Sequence, residues 1–445
     1  MSAFTRRSFF GVSLAGILSP SADAAPPERA TAIPKVPDDS PFQPSALFLT
    51  WQRDPTTSMT VQWVGAIGET PDTRVYYRPL GPQPAALASI IGSPRPFGAA
   101  ALAKWNEEPS RIKPFPMTDL KVFRSELTGL LPGTSYEFRI GKQSPTYRFR
   151  TMPAKATNAI HFISGGDCGV NAHAVANNIQ AARQDPMFTV IGGDLGYDNG
   201  RSVATSLAFL RNYSKHMIAK NGRLIPLVTC IGNHEVNGSF GKTREQAPFY
   251  YALFDGLFSA TGYATLDFGD YLSLVLLDTN HTSAIRGAQT DWLERTLRAR
   301  KDHPNVMVVN HVPAYPSFRK AESTETKKGT GEDNRKHWVP LFEKYRVPVA
   351  LEHHDHTFKR TKPLIDGLAN DGGVLYLGDG SWGRLRPPAS PDKLSYLATS
   401  SQNYHLSLHC VHRDERFHLA LDENGRVMDV CRTGQRATEA VAASR

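Results

Sequence analysis

Apolar and polar residues alternate in short runs through the first third of the chain, and the rhythm changes near Ala159. Before that point Leu47 to Trp51, Met59 to Val64, Arg74 to Arg78, Val122 to Arg124, Ser135 to Ile140 and Thr146 to Arg150 are rich in β-branched and aromatic residues. Their alternation, with turns such as Leu131-Pro132-Gly133-Thr134, predicts a small antiparallel sandwich over residues 42–153. Pro82 to Thr118 interrupts it with a stretch rich in Pro and Ala, longer than a hairpin connection. Two roles are open to that stretch: a surface insertion, or a loop packed on the second domain near its site.

After Ala159, Ile160 to Ser164 runs into Gly-Gly-Asp, a helical stretch covers Ala172 to Arg183, and Met187 to Ile191 runs into Gly-Gly-Asp again. Leu224 to Ile231, Leu272 to Asp278, Val306 to Asn310 and Val347 to Glu352 alternate with helices, the clearest being Gln289 to Arg300. Tyr404 to Val411, Phe417 to Asp422 and Val427 to Cys431 predict antiparallel strands that close the same α/β domain, placed at residues 158–433 with a tail at 434–445. Ligands in such folds gather at the carboxyl ends of strands.

The ends and the charge narrow the picture. Thr5-Arg6-Arg7-Ser8-Phe9-Phe10, a weakly apolar run to Leu18 and Ala22-Asp23-Ala24 have the order of a twin-arginine export signal over residues 1–24. A Pro-rich linker at 25–41 follows, and a periplasmic or extracellular location is expected. No run is long enough to span a bilayer. Export in the folded state suits an enzyme that acquires metal before it leaves. The formal charge of +9 becomes +8 once residues 1–24, with Arg6, Arg7 and Asp23, are removed. That excess suits small anionic substrates, and no Lys/Arg block is dense enough to indicate nucleic acid. Of the four cysteines, Cys410 and Cys431 fall in strands and are candidates to pair across a sheet, whereas Cys168 and Cys230 are expected to be buried thiols.

Five clusters carry the chemistry: Asp167 in Gly-Asp-Cys-Gly, Asp194 and Tyr197 in Gly-Asp-Leu-Gly-Tyr, Asn233 beside His234 in Gly-Asn-His-Glu, His311 in Val-Val-Asn-His, and His354 and His356 in His-His-Asp-His. Two cations a few ångströms apart need a shared anion to lower their repulsion, with hard oxygens and imidazoles filling the other positions. Glycines beside Asp167, Asp194 and Asn233 permit tight turns. Asp after Gly-Gly is by itself more often a turn, and His-x-His more often a surface pair. Five such clusters in order, each after a predicted strand, point to one dinuclear site.

These clusters resemble the five blocks of the calcineurin-like metallophosphoesterases and, within them, the purple acid phosphatases, which join a fibronectin type III-like domain to the catalytic one. The resemblance extends to Pro55 to Trp63, Gly129 to Tyr136, Gln289 to Leu293 and Phe358 to Thr361, and covers most of residues 42–432. It implies a fibronectin type III-like sandwich followed by an α/β metallophosphoesterase domain, itself a β-sandwich flanked by helices. It further implies that Asp167, Tyr197 and His356 hold Fe(3+), that Asn233, His311 and His354 hold a divalent iron, zinc or manganese, and that Asp194 bridges them. A metal-activated hydroxide would attack a phosphate monoester, with His234 over the phosphate assisting the leaving alcohol.

The pattern departs from the family in three places. His353, preceded by Glu352, stands where a glycine is usual before the last His-x-His, and it is a candidate additional substrate contact. The purple branch commonly has a histidine about ten residues after the one matching His311, where this chain has Ala321; His337, Lys320 and Arg319 are candidate substitutes. Cys168 after Asp167 is a feature of the PhoD-like phosphodiesterases, whereas Gly232-Asn233-His234 and the final His-x-His favour the purple branch. A phosphodiesterase or nucleotide pyrophosphatase on the same site is the alternative activity, and a non-enzymatic phosphate-binding or adhesion protein is the rival from another class.

Overall fold

Strands with one buried face need a second layer, and the N-terminal residues supply it as two four-stranded sheets. A computed structural model describes residues 42–80 and 103–434; the predicted signal, the linker, much of the Pro82 to Thr118 stretch and the tail lie outside the described residues. One sheet is ordered Leu47–Thr50, Met59–Gly65, Lys121–Leu127, Arg111–Pro114, and the other Asn106–Glu108, Val75–Pro79, Ser135–Ile140, Tyr147–Arg150. All pairs are antiparallel, and Trp63, Phe123, Phe138 and Phe149 are buried in the core.

The second domain packs two mixed sheets. The six-stranded sheet is ordered Leu227–Thr229, Thr189–Ile191, Ile160–Gly165, His405–His412, Glu415–Asp422, Val427–Thr433. The seven-stranded sheet is ordered Ala264–Phe268, Leu272–Leu276, Val306–Asn310, Val349–Glu352, Leu375–Asp379, Phe358–Thr361, Leu397–Ser401. Parallel pairing is confined to the first three strands of one sheet and to Leu272–Leu276 through Leu375–Asp379 of the other. Helix Ala172–Arg183 begins at Asn171, whose side chain accepts from Ala174 N–H, a capping bond that fixes its start. No helix among the described residues is long and apolar enough to cross a membrane.

The two domains share a core. Trp51 sets its ring edge-on against Phe188 and Phe268, and Phe162 stacks on Phe188 at 4.9 Å. Polar ties flank this contact: Arg124 reaches the Leu253 carbonyl at 2.8 Å and Asp255 at 2.7 Å, and Lys113 joins Asp255 at 2.6 Å. The described end of the long insertion therefore does pack on the second domain, with Phe115 against Phe249, yet none of residues 103–118 lines the clefts at the ligand loops.

The candidate Cys410–Cys431 pairing is not formed. Strand Glu415–Asp422 lies between their strands, so two interstrand spacings separate them, about 9 to 10 Å and beyond the reach of a disulfide. Cys168 and Cys230 are buried free thiols, and burial pushes both well above their ordinary pKa.

Candidate metal centre

Each predicted cluster lies where a strand stops. Asp167 follows Ile160–Gly165, Asp194 and Tyr197 follow Thr189–Ile191, and Asn233 follows Leu227–Thr229, all from the six-stranded sheet. His311 follows Val306–Asn310, and His354 and His356 follow Val349–Glu352, from the seven-stranded sheet. Parallel strands within each sheet end at a common edge, so the seven side chains converge from both layers.

The turns that aim them store strain. Asp167, Asp194, Tyr197, His354 and His356 have φ of 56, 54, 66, 70 and 60°, a left-handed conformation uncommon for residues with a Cβ. Five of the 13 such non-glycine residues among the described ones are thus candidate ligands, a concentration expected where backbone strain serves a site.

The donors fall into two groups that share one member. Asp194, His311 and His354 present ligand atoms within 4.8 Å of one another, and so do Asp167, Asp194 and His356. In the first group His311 Nε2 faces Asn233 Oδ1 at 3.1 Å, His354 Nδ1 at 3.1 Å and Asp194 Oδ2 at 3.3 Å. His311 Nδ1–H donates to the Gly192 carbonyl at 2.8 Å, which fixes Nε2 as the atom offered to the site. In the second group the Tyr197 hydroxyl lies 3.3 Å from Asp167 Oδ1 and 3.0 Å from His356 Nε2, and those two are 3.0 Å apart. Asp167 Oδ2 accepts from His354 N–H at 2.8 Å, locking one ligand loop to the other. Asp194 Oδ2 is buried and has no hydrogen-bond donor among the described residues. A buried carboxylate oxygen so placed, amid oxygen and imidazole donors, fits a cation on either side.

Charges in the pocket are strongly coupled. Burial opposes a charged His311, but Asp194 overrides it and pushes the imidazole up to about 9. Burial likewise opposes ionisation of Asp194, yet His311 holds it far below the usual carboxylate range. Burial, with Asp167 and Asp194, pushes the Tyr197 phenol well above its ordinary value, and burial with His311 pushes His354 well below.

His234 stands at the rim. Its side chain is a third exposed, its ring lies 4.2 Å from that of Tyr197, and its Nδ1 is 2.5 Å from Asn199 Oδ1. His234 Nε2 is 4.0 Å from Asp194 Oδ2, and its backbone N–H donates to Asp194 Oδ1 at 2.8 Å.

His353, expected as a substrate contact, is corrected to a packing residue. It is 1% exposed, with Nδ1 3.0 Å from the Asn310 carbonyl, and its ring occupies the space beside Gly166 and Gly192, where a Cβ would come within 2.6 and 1.9 Å of it. Glu352 is equally structural, bonded to Ala314 N–H and to the buried Lys359 ammonium. Of the candidate substitutes for the missing histidine, Arg319 is engaged by Asp355 and the His354 carbonyl, and neither Lys320 nor His337 lines the cleft.

Several residues were not singled out from the sequence. Glu235 is buried and accepts from Asp194, Leu195 and Gly232 N–H at 2.8, 2.7 and 2.8 Å, so it holds two ligand loops together. His281 is buried 5.6 Å from the His311 ring. Arg384, Arg386 and Tyr404 complete a cleft of about 460 Å³ with Tyr197, His234 and His356. The signal for the arginines was present: they follow Gly378-Asp379-Gly380, another strand-end Gly-Asp turn.

Comparison with known proteins agrees with this geometry. Residues 44–151 match the model of the purple acid phosphatase N-terminal domain, and residues 160–358 match the calcineurin-like phosphoesterase model. Purple acid phosphatase 21 of Arabidopsis thaliana is 26% identical over 286 residues, 61% of this chain and 62% of the relative, so the match spans about three fifths of that protein. Among solved structures, purple acid phosphatase PPD1 from yellow lupin (Lupinus luteus) seeds aligns with a TM-score of 0.68 at 16% identity, over 88% of this chain and 74% of that one. PhoD aligns with a TM-score of 0.59 at 10% identity, over 89% and 93%.

Proposed function

We propose, from the premise that this chain is a purple acid phosphatase-like member of the calcineurin-like phosphoesterases, that it is an exported dinuclear-metal phosphomonoesterase. The observation that carries the proposal is the membership of Asp194 in both donor groups, the arrangement a bridging carboxylate requires. Asp167, Tyr197 and His356 would hold a ferric ion, for which a phenolate is a suitably hard donor, and Asn233, His311 and His354 a divalent iron, zinc or manganese. When bound, such a pair supplies charge to neutralise phosphate oxygens and lowers the pKa of water.

The remaining work falls to the chain's own residues. His234 Nδ1 donates to Asn199 Oδ1, which orients the ring and leaves Nε2 facing the cleft. Water's oxygen forms the new bond to phosphorus while the ester P–O bond breaks; the alcohol oxygen leaves with the electron pair and takes a proton held at His234 Nε2, one water proton stays on the released phosphate and the other restores His234. Glu235 keeps the loops of Asp194 and Asn233 in register during this exchange.

Elemental analysis and a visible spectrum of the purified protein, with turnover of p-nitrophenyl phosphate, test the proposal. Two metals per chain, a tyrosinate-to-iron band and monoester hydrolysis are expected, all lost in Asp194→Ala. Hydrolysis that survives Asp194→Ala overturns the two-metal site, and fast turnover of bis(p-nitrophenyl) phosphate with poor monoester turnover overturns the monoester preference.

A further inference from the structure

The segment Trp382 to Arg386 is strapped across the mouth of the centre. Its backbone N–H groups donate to the ligand loops, Trp382 to the Gly166 carbonyl at 3.1 Å, Gly383 to Asp167 at 3.1 Å and Arg386 to His356 at 2.8 Å. From the other side Asn171 Nδ2 donates to the Gly383 carbonyl at 2.7 Å. The Trp382 indole is fully buried, bonded to Asn178 Oδ1 at 3.0 Å and packed where Gly165 has no side chain. Arg384 and Arg386 therefore project from fixed backbone into the cleft that holds Tyr197, His234 and His356.

Their surroundings leave their charge available. The Arg384 guanidinium lies over the Tyr197 ring at 4.2 Å and that of Arg386 over Phe318 at 5.0 Å. Neither has a carboxylate at ion-pair distance among the described residues, whereas the nearby Arg319 and Arg360 are paired with Asp355 and Asp429. Two guanidinium groups on a rigid rim, with no carboxylate partner among the described residues, suit an anion, and they share the cleft with His234, the proposed proton donor to the leaving alcohol, which directs that anion to the departing part of the substrate.

We infer that Arg384 and Arg386 form a leaving-group subsite that selects phosphate esters and anhydrides whose leaving group carries a further phosphate. The inference rests on the phosphoesterase reading of the same centre. It explains how a chain lacking a histidine near Ala321 can still hold a substrate strongly, through contacts that follow a different strand.

The test is a matched pair, adenosine 5′-monophosphate and adenosine 5′-diphosphate, whose leaving groups differ by one phosphate. Initial rates are measured for the metal-loaded wild type and for Arg384→Ala/Arg386→Ala, with metal content checked in both. The wild type should favour the diphosphate in kcat/KM, and the double substitution should lower the diphosphate-to-monophosphate ratio by roughly 10- to 100-fold, the scale of one or two charge-assisted hydrogen bonds. Equal loss on both substrates, as expected if Arg384 only caps Tyr197, or no preference in the wild type, overturns the inference. If the wild type turns over neither the nucleotides nor p-nitrophenyl phosphate, the phosphoesterase proposal fails instead. Calorimetric binding of inorganic pyrophosphate against orthophosphate then decides the subsite: tighter pyrophosphate binding lost in the double variant supports it, and equal binding by both proteins refutes it.

Discussion

Replacing Gly192 by Ala, alone and together with His353→Ala, probes the departure from the family pattern. A Cβ at Gly192 would lie 1.9 Å from His353 Cε1 and 2.0 Å from Nδ1, closer than any real contact. His353 is buried and bonded to the Asn310 carbonyl, and the Gly192 backbone is held by its N–H to Gly165 at 2.7 Å and by its carbonyl to His311. Neither side can yield cheaply, so Gly192→Ala should cost about 3 kcal/mol, the upper part of the range for overpacking. His353→Ala removes a buried ring and one hydrogen bond and should cost about 2–4 kcal/mol.

In the double variant the new methyl enters the space the imidazole left, so the two costs do not add. The total should stay at about 3 kcal/mol, a coupling of about 2–4 kcal/mol in favour of the pair. Urea denaturation of the four proteins measures this, with metal content as a second readout because Gly192 supplies the acceptor that orients His311. Single-variant costs that sum to the double-variant cost within about 0.5 kcal/mol would refute the claim that His353 is the counterpart of the glycine.

Glu235→Ala leaves the N–H groups of Asp194, Leu195 and Gly232 without their acceptor, at about 1–3 kcal/mol each, and should lower both stability and metal content; a loss below about 1 kcal/mol in urea denaturation would contradict it. His281 is held neutral, its Nδ1–H donating to the Ser239 carbonyl and its Nε2 accepting from Thr279; burial, aided by His311, depresses its pKa to about 3. Because the folded value lies below the unfolded one, its contribution is intact above about pH 6.5 and is lost as pH falls toward 3. From pH 7 to pH 5 the wild type should lose about 2 kcal/mol more than His281→Gln, and parallel losses in urea denaturation at the two pH values would exclude the effect. Arg124→Ala should weaken domain docking by about 1–3 kcal/mol through its bonds to Leu253 and Asp255, read as faster proteolysis between the domains and a lower denaturation midpoint; unchanged values on both would dismiss those bonds as surface contacts.

Much of the centre was legible because its information is local. A candidate ligand at the end of a strand needs an apolar run and a polar tip within a few residues, joined by a glycine at Asp167, Asp194 and Asn233 and directly at His311, so these four could be placed from spacing alone. Helix Ala172–Arg183 was legible for the same reason, as a periodic run whose cap is its immediate neighbour. The strand pairing at the C-terminus was not. Cys410 and Cys431 both lie in correctly expected strands, yet which strand sits between them depends on sheet order, a non-local property.

His353 marks where local reading fails at the site itself. Its neighbours in the chain are candidate ligands, so proximity suggests a substrate contact; its neighbours in space are Gly166 and Gly192, each part of a Gly-Gly-Asp run that reads as a turn. A glycine has two consequences, conformational freedom and absent volume, and only the first is visible in a single sequence. The same holds for Gly165, whose missing side chain makes room for Trp382 and thereby fixes the strap that carries Arg384 and Arg386. Metal ligands are specified by what the chain contains at each strand end, whereas the residues that shape the cleft around them depend on what distant glycines leave out. The metals and the substrate preference of such a centre can therefore change independently: substitution at Gly165 or Trp382 should disturb selection through the strap before it disturbs the shared carboxylate at Asp194.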